Sequence, residues 1–217
     1  MSITANNVDE TLSRREREKL VHRREIMDAA LRVFARKGFF NATLDEISEE
    51  AEFSKGALYL YFSNKEDLLH SIMKEKSIVF TEILHDTLQG TSSFRKELRD
   101  FFMAYARLSF KEKDFSTVLM GQHAAGFPAL SPERAKELQN SHDEFDKIVL
   151  QHIKRAIEHG ELRNMVPEAI NGVIQGAIKN MMVIRWNCKT LDELLTGVDL
   201  FIDILFNGIG KEKGNKE

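Results

Sequence analysis

Within the twelve residues Ser54–Lys65 the chain places a hydroxyl, two ammonium groups and two phenols: Ser54, Lys55, Tyr59, Tyr61 and Lys65, set around Gly56 and the small Ala57. Residue types of this kind at this spacing suit recognition, and the partner that fits them is a duplex. A lysine donates to a phosphate or a guanine edge, a hydroxyl donates to a phosphate, and an alanine methyl meets a thymine methyl. Gly56 costs a helix up to about 1 kcal/mol relative to Ala, a cost that makes sense where backbone must pass close to DNA. Tyr59 and Tyr61, two residues apart on a helix, point to nearly opposite sides. Tyr59 is expected outward, Tyr61 at the rim with its hydroxyl near a phosphate, and Leu58 and Phe62 inward. Lys65 adds its charge near a helix start, where phosphates bind readily. Spacing alone also allows a plainer reading, two short bundle helices with half-buried tyrosines.

Other chemistries find little support. The seven histidines include no i, i+4 pair and Cys188 stands alone, so neither a metal site, a cofactor nor a disulfide is expected. The motifs G-x-S-x-G, G-x-G-x-x-G, H-E-x-x-H and the P-loop are absent. A helical enzyme or binding protein acting on an apolar small molecule, with His123 or His152 as base, is the alternative reading and rests on isolated histidines. The formal net charge is −3. Residues 11–40 nevertheless hold nine Lys and Arg against four acids, a local surplus of five, and nearby charge dominates because salt screens distant charge. No apolar run approaches the roughly 18 residues that span a bilayer, the N-terminus lacks a signal-peptide pattern, and a lone cysteine fits a reducing compartment. A cytoplasmic protein without a membrane partner is expected.

The elements that must hold the reading residues announce themselves by their caps. Apolar positions recur at helical spacing from about Arg14 to Lys37, and Gly38 follows as a stop. Thr43-x-x-Glu46 and Ser63-x-x-Glu66 read as capping boxes, and Ser54 caps the short helix between them. A long helix follows from about 64 to 89. Further helices start at Phe94, at Ser131-Pro132, at Pro167 and at Thr190. Three prolines and no strand-like alternation complete an all-α reading of about nine helices: an N-terminal three-helix helix-turn-helix domain joined by a long helix to a C-terminal bundle. The boundaries expected are a flexible tail at 1–13, the DNA-binding domain at 14–69, a ligand-binding and dimerisation domain at 70–210, and a second tail at 211–217.

At these residues a family resemblance enters. Arg24, Ile26, Ala29-Ala30, Phe34, Gly38, Thr43, Ile47, Ala51, Ser54-Lys55-Gly56, Leu58-Tyr59, Tyr61-Phe62, Lys65-Glu66 and Leu68-Leu69 resemble, in order and spacing, the DNA-binding domain of the TetR-like transcriptional regulators. The resemblance covers roughly residues 20–70. It implies a helix-turn-helix homodimer on a palindromic operator, with Thr43, Ser54, Lys55, Tyr59, Tyr61 and Lys65 as phosphate or base contacts. Three positions depart from the pattern. Glu52 stands where Gly is frequent in the turn, Ala57 replaces a frequent Thr, and Ser48 replaces a common Ala, able to bond back to the Leu44 carbonyl. The acids Asp45, Glu46, Glu49, Glu50 and Glu52 are expected to face mostly away from DNA. Arg14, Arg15, Arg17 and Lys19 read either as a charged helix start or as an arm along DNA.

Beyond residue 90 the chain is rich in Phe and Met, which together line adaptable apolar cavities as readily as they fill cores. The resemblance adds that this domain usually holds an inducer site. Phe102, Tyr105, Phe115, Met120, His123, Phe145, His152, Met181 and Arg185 are the candidate pocket residues for a small apolar or amphipathic effector, such as a lipid-like, acyl-chain or aromatic compound. The best dimer face lies on the last two helices: Ile170, Gly172, Val173, Ile174, Gly176 and Ala177, where G-x-x-x-G permits close approach, with Leu194, Val198 and Phe201. The expected protein is a repressor, released from a palindromic operator by its effector.

Overall fold

The structure is a computed structural model that describes residues 12–123 and 129–208. Among the described residues there are nine helices and no strand: α1 (Arg14–Lys37), α2 (Leu44–Glu50), α3 (Lys55–Tyr59), α4 (Lys65–Thr87), α5 (Phe94–Lys111), α6 (Lys113–His123), α7 (Pro132–Glu158), α8 (Pro167–Asn187) and α9 (Leu191–Asn207). The expected tails at 1–13 and 211–217 lie outside the described residues, except Leu12 and Ser13. Ser13 caps α1 through a complete capping box with Glu16, so Arg14, Arg15, Arg17 and Lys19 form a charged helix start. No helix among the described residues is long and apolar enough to cross a membrane.

The chain divides into two compact units, Met1–Glu75 with Thr117–Arg134, and Lys76–Ser116 with Ala135–Glu217. In the first, Ile26, Ala29, Ala30, Val33 and Phe34 of α1, Ile47 of α2, Leu58 of α3, Phe62, and Leu68, Leu69 and Ile72 of α4 are all buried, and α1 packs against α2 and α2 against α3. Leu20, near the start of α1, is 46% exposed. The Thr43–Glu46 box forms on both sides: Glu46 N–H donates to Thr43 Oγ1 (3.2 Å) and Thr43 N–H donates to the Glu46 carboxylate (3.1 Å). The Ser63–Glu66 box does not. Asn64 caps α4 instead, its Oδ1 accepting from Asp67 N–H at 2.8 Å, while the Asp67 carboxylate accepts from Ser63 N–H and Oγ–H. The Glu66 carboxylate is engaged elsewhere, by Ser131 N–H at 2.7 Å.

In the second unit α5 is the central helix. Phe94, Leu98, Phe101, Phe102 and Tyr105 are each at most 1% exposed, and α5 packs against α8 and α9. Val149, Ile153 and Ala156 of α7, Ile174 of α8, and Leu194, Val198 and Ile202 of α9 complete the core. A buried ion cluster ties α5 to α7: Glu97, 2% exposed, accepts from Arg155 at 3.1 Å and from Ser92 N–H at 3.2 Å.

Candidate functional site

The segment that carries the candidate reading residues is built from two short helices and a strained corner. Ala51 ends α2, and Phe53 N–H donates back to Ser48 O at 2.9 Å. Glu52 sits at φ +60°, the only non-glycine in the left-handed region among the described residues. The turn therefore keeps the geometry a glycine would adopt and places a glutamate in it, at a strain of about 1–2 kcal/mol. The Ser48 hydroxyl donates to the Asp45 carbonyl (2.8 Å) rather than to that of Leu44. Ser54 then caps α3, its Oγ accepting from Ala57 N–H at 3.1 Å.

On α3 the apolar side is sealed and the polar side is open. Leu58 and Phe62 are 0% and 1% exposed. Thr43, Ser54, Lys55, Gly56 and Tyr59 are exposed, and Ala57, Tyr61 and Lys65 are half-buried. A Cβ added to Gly56 meets nothing within 4 Å, so the glycine answers no packing need of this chain. Tyr61 is not an unattached rim phenol: its hydroxyl shares a 3.2 Å hydrogen bond with His22 Nδ1 of α1, and His22 packs edge-on against Phe53. Lys65 is turned to the chain itself, donating to the carbonyls of Ala42 (2.7 Å) and Phe40 (3.1 Å) and lying over the Phe39 ring. Burial holds its ammonium pKa below the usual value. Its structural task is to anchor the loop before α2.

The acids of α2 divide into two groups. Glu50 binds Arg32 (2.7 Å) and Arg36 (3.2 Å) of α1, and Glu46 binds Lys37. These partners, Lys37 first for Glu46 and Arg32 first for Glu50, hold both carboxyls below the usual carboxylate range. Three cations of the basic stretch are thus committed within the domain. Asp45 points the other way, onto the exposed side, where its Oδ1 lies 2.6 Å from Lys55 Nζ. That hydrogen bond raises the Lys55 pKa. The sequence reading turned the α2 acids mostly away from the open face and did not single out Asp45. It also passed over His22 and Leu60, which is 78% exposed beside Tyr59. Only tertiary contacts distinguish these residues from ordinary surface.

In the second unit the candidate pocket residues separate. Tyr105 joins an aromatic group with Phe80 (ring centroids 5.1 Å apart) and Phe101, and Phe80 and Phe101 extend it to Phe115 and Phe145. The Tyr105 hydroxyl is buried without a hydrogen-bond partner, and burial pushes its pKa well up. Phe102 faces α9 instead, 5.0 Å from Phe201. His152 lies 3.5 Å from the Glu97 carboxylate and belongs to the buried ion cluster; burial, then the Arg155 charge, lower its pKa. Arg185 is buried, donates to Ser109 O at 3.4 Å and lies over Phe110. Met120 is half-buried in the first unit, and the side chain of His123 lies outside the described residues.

Between α8 and α9 runs an apolar groove of about 240 Å³, lined by Val173, Gly176, Ala177, Met181, Val198 and Phe201 among others. The face expected for dimerisation is corrected here in part. Ile174, Leu194 and Val198 are each 1% exposed, because these helices need them to cover α5. Gly172, Val173 and Gly176 are exposed, and Ile170, Ala177 and Phe201 half-buried. Val183, Ile184, Leu200 and Ile204 add large apolar surface on the same two helices.

Residues 26–72 match the family model described as bacterial regulatory proteins, tetR family. The uncharacterized HTH-type transcriptional regulator YuxN of Bacillus subtilis is 32% identical over 137 residues, 60% of this chain and 43% of that protein. The fatty acid metabolism regulator protein of the same organism is 35% identical over 74 residues, 34% of this chain and 38% of that one. The chain thus spans less than half the length of these curated relatives. The crystal structure of the transcriptional regulator FadR from Bacillus subtilis in complex with stearoyl-CoA shares the fold, with a TM-score of 0.74 at 22% identity over 86% of this chain and 99% of that one. Residues 26–72 thus match a TetR-type N-terminal segment, and the chain shares the fold of that regulator.

Proposed function

We propose that the protein is a DNA-binding transcriptional regulator, a homodimer that reads a palindromic operator and is released from it by a largely apolar effector. The observation that carries this reading is the division of α3. Leu58 is sealed in the core while Ser54, Lys55, Gly56 and Tyr59 stand open at the end of a capped, nearly bulk-free helix, the arrangement that lets a recognition helix touch base edges with its first residues. Thr43 at the start of α2 and Tyr61, steadied by His22, supply backbone contacts; Lys65 supports them by holding the loop. Pairing of two copies through the exposed apolar face of α8 and α9 gives the two-fold symmetry, with half-sites about 34–36 Å apart or a multiple of that. The protein acts where the DNA is, in the cytoplasm.

The effector proposed is an acyl thioester or a molecule of like build. Two observations support it: FadR, of the same fold, holds stearoyl-CoA, and the aromatic group around Tyr105 contains one unsatisfied hydroxyl in otherwise apolar surroundings. Release is then a population shift, in which the effector binds one dimer geometry better than the geometry that fits the operator.

Selection from a random DNA pool followed by gel shift tests the reading. The protein enriches a palindrome, its affinity falls steeply with salt, and stearoyl-CoA lowers the bound fraction. Lys55→Ala combined with Tyr59→Ala abolishes binding. Tight binding by that double variant overturns the assignment.

A further inference from the structure

The exposed ion pair of Asp45 and Lys55 adds little to the fold beyond the charge that Asp45 lends to the first turn of α2. It joins the first turns of α2 and α3 at 2.6 Å, with 61% and 55% of the two side chains open, and exposed pairs of this kind contribute little to stability. The other acids of α2 with ion-pair partners face α1: Glu46 and Glu50 meet Lys37, Arg32 and Arg36. An aspartate on a face that must approach phosphates weakens binding to every sequence alike. A carboxylate placed there offsets that loss where it accepts a hydrogen bond from a base.

We infer that Asp45 and Lys55 together read one G·C base pair in each half-site, Lys55 donating to guanine and Asp45 accepting from the cytosine amino group. The inference rests on the proposed DNA-binding function and names what the reading head recognises. In the major groove guanine presents two acceptors, N7 and O6, and cytosine the N4 donor. O6 and N4 are partners in the Watson–Crick pair, so they lie about 2.9 Å apart. A cation and an anion 2.6 Å apart match that edge with opposite polarity. An A·T pair does not suit the couple. Its order across the groove is acceptor, donor, acceptor, so with the carboxylate on adenine N6 and the ammonium on either neighbour, the remaining acceptor faces the carboxylate. On G·C the ammonium meets both acceptors and the carboxylate meets the donor, with no acceptor left opposite it. The couple is assembled before DNA arrives, which keeps two flexible side chains in the reading position.

The test compares the full-length protein with Asp45→Ala, a surface substitution in a helix, by selection from a random DNA pool and by gel shift at one salt concentration. The wild type enriches a G·C pair at one fixed position in each half-site. In Asp45→Ala the preference for G·C over A·T at that position falls about tenfold, while affinity for unrelated DNA rises. If Asp45→Ala keeps the same base preferences and only binds all sequences more tightly, Asp45 is a repulsive charge and the inference fails with the regulator reading intact. Failure of the wild type to enrich any sequence overturns both.

Discussion

Tyr105 is a large residue sealed in a core with a polar atom left over. A buried hydroxyl without a partner costs roughly 1–3 kcal/mol, and the phenol here has none. Tyr105→Phe keeps the ring and its contacts with Phe80 and Phe101 and removes the unsatisfied group. In the absence of ligand the variant melts about 2–4 °C higher, the shift expected of about 1 kcal/mol in a chain of this size. If the Tyr105 hydroxyl is the donor to the thioester carbonyl of the proposed effector, stearoyl-CoA, where it raises the melting temperature of the wild type, raises that of Tyr105→Phe by less. Equal ligand-induced shifts rule out a role for Tyr105 as polar handle. Residue types alone gave Tyr105 as a candidate, but not that its hydroxyl is orphaned. The same types also offered Lys65 as a phosphate contact, and there the loop carbonyls of Phe40 and Ala42 take the ammonium instead.

At the scale of elements the reading head is two capped helices around one strained residue. Glu52 holds the left-handed conformation at φ +60°. Glu52→Gly relieves that strain and gives some of it back as unfolded-chain entropy. It raises stability in urea by up to about 1 kcal/mol, whereas Glu52→Ala brings no such gain. Loss of stability in Glu52→Gly contradicts the strained turn. Helices were the most legible part of this chain, because caps and apolar spacing are local. Thr43, Ser54 and Thr190 each cap the helix that follows, as their positions announce. Where the local pattern misled, a distant group had intervened: Glu66 left its box for Ser131 N–H, and Asn64 took over the cap. The pocket residues were least legible, since Phe and Met fill cores and line cavities with the same spacing, and only the fold separates Phe102, against Phe201, from Tyr105 among Phe80 and Phe101.

For the molecule as a whole, the proposed pairing through α8 and α9 would decide whether two weak half-site contacts become one strong one. Val173 is 53% exposed on that face. Val173→Glu gives a monomer in sedimentation and lowers operator affinity by about 10²-fold or more, since linked binding is lost; a dimer that persists in Val173→Glu places the interface elsewhere. Net charge points the same way as these local devices. At −3 overall the protein as a body repels DNA, so attraction belongs to a few positions near the reading head. Arg32, Arg36 and Lys37 are not among the unoccupied ones, because they bolt α1 to α2 through Glu50 and Glu46. Added electrolyte therefore acts twice: it competes for the phosphates, and it slackens the bolts that hold the headpiece in shape. A phosphate tally drawn from the ionic-strength dependence of binding overshoots by the second contribution, and melting the DNA-free headpiece across the same ionic strengths measures the excess to subtract.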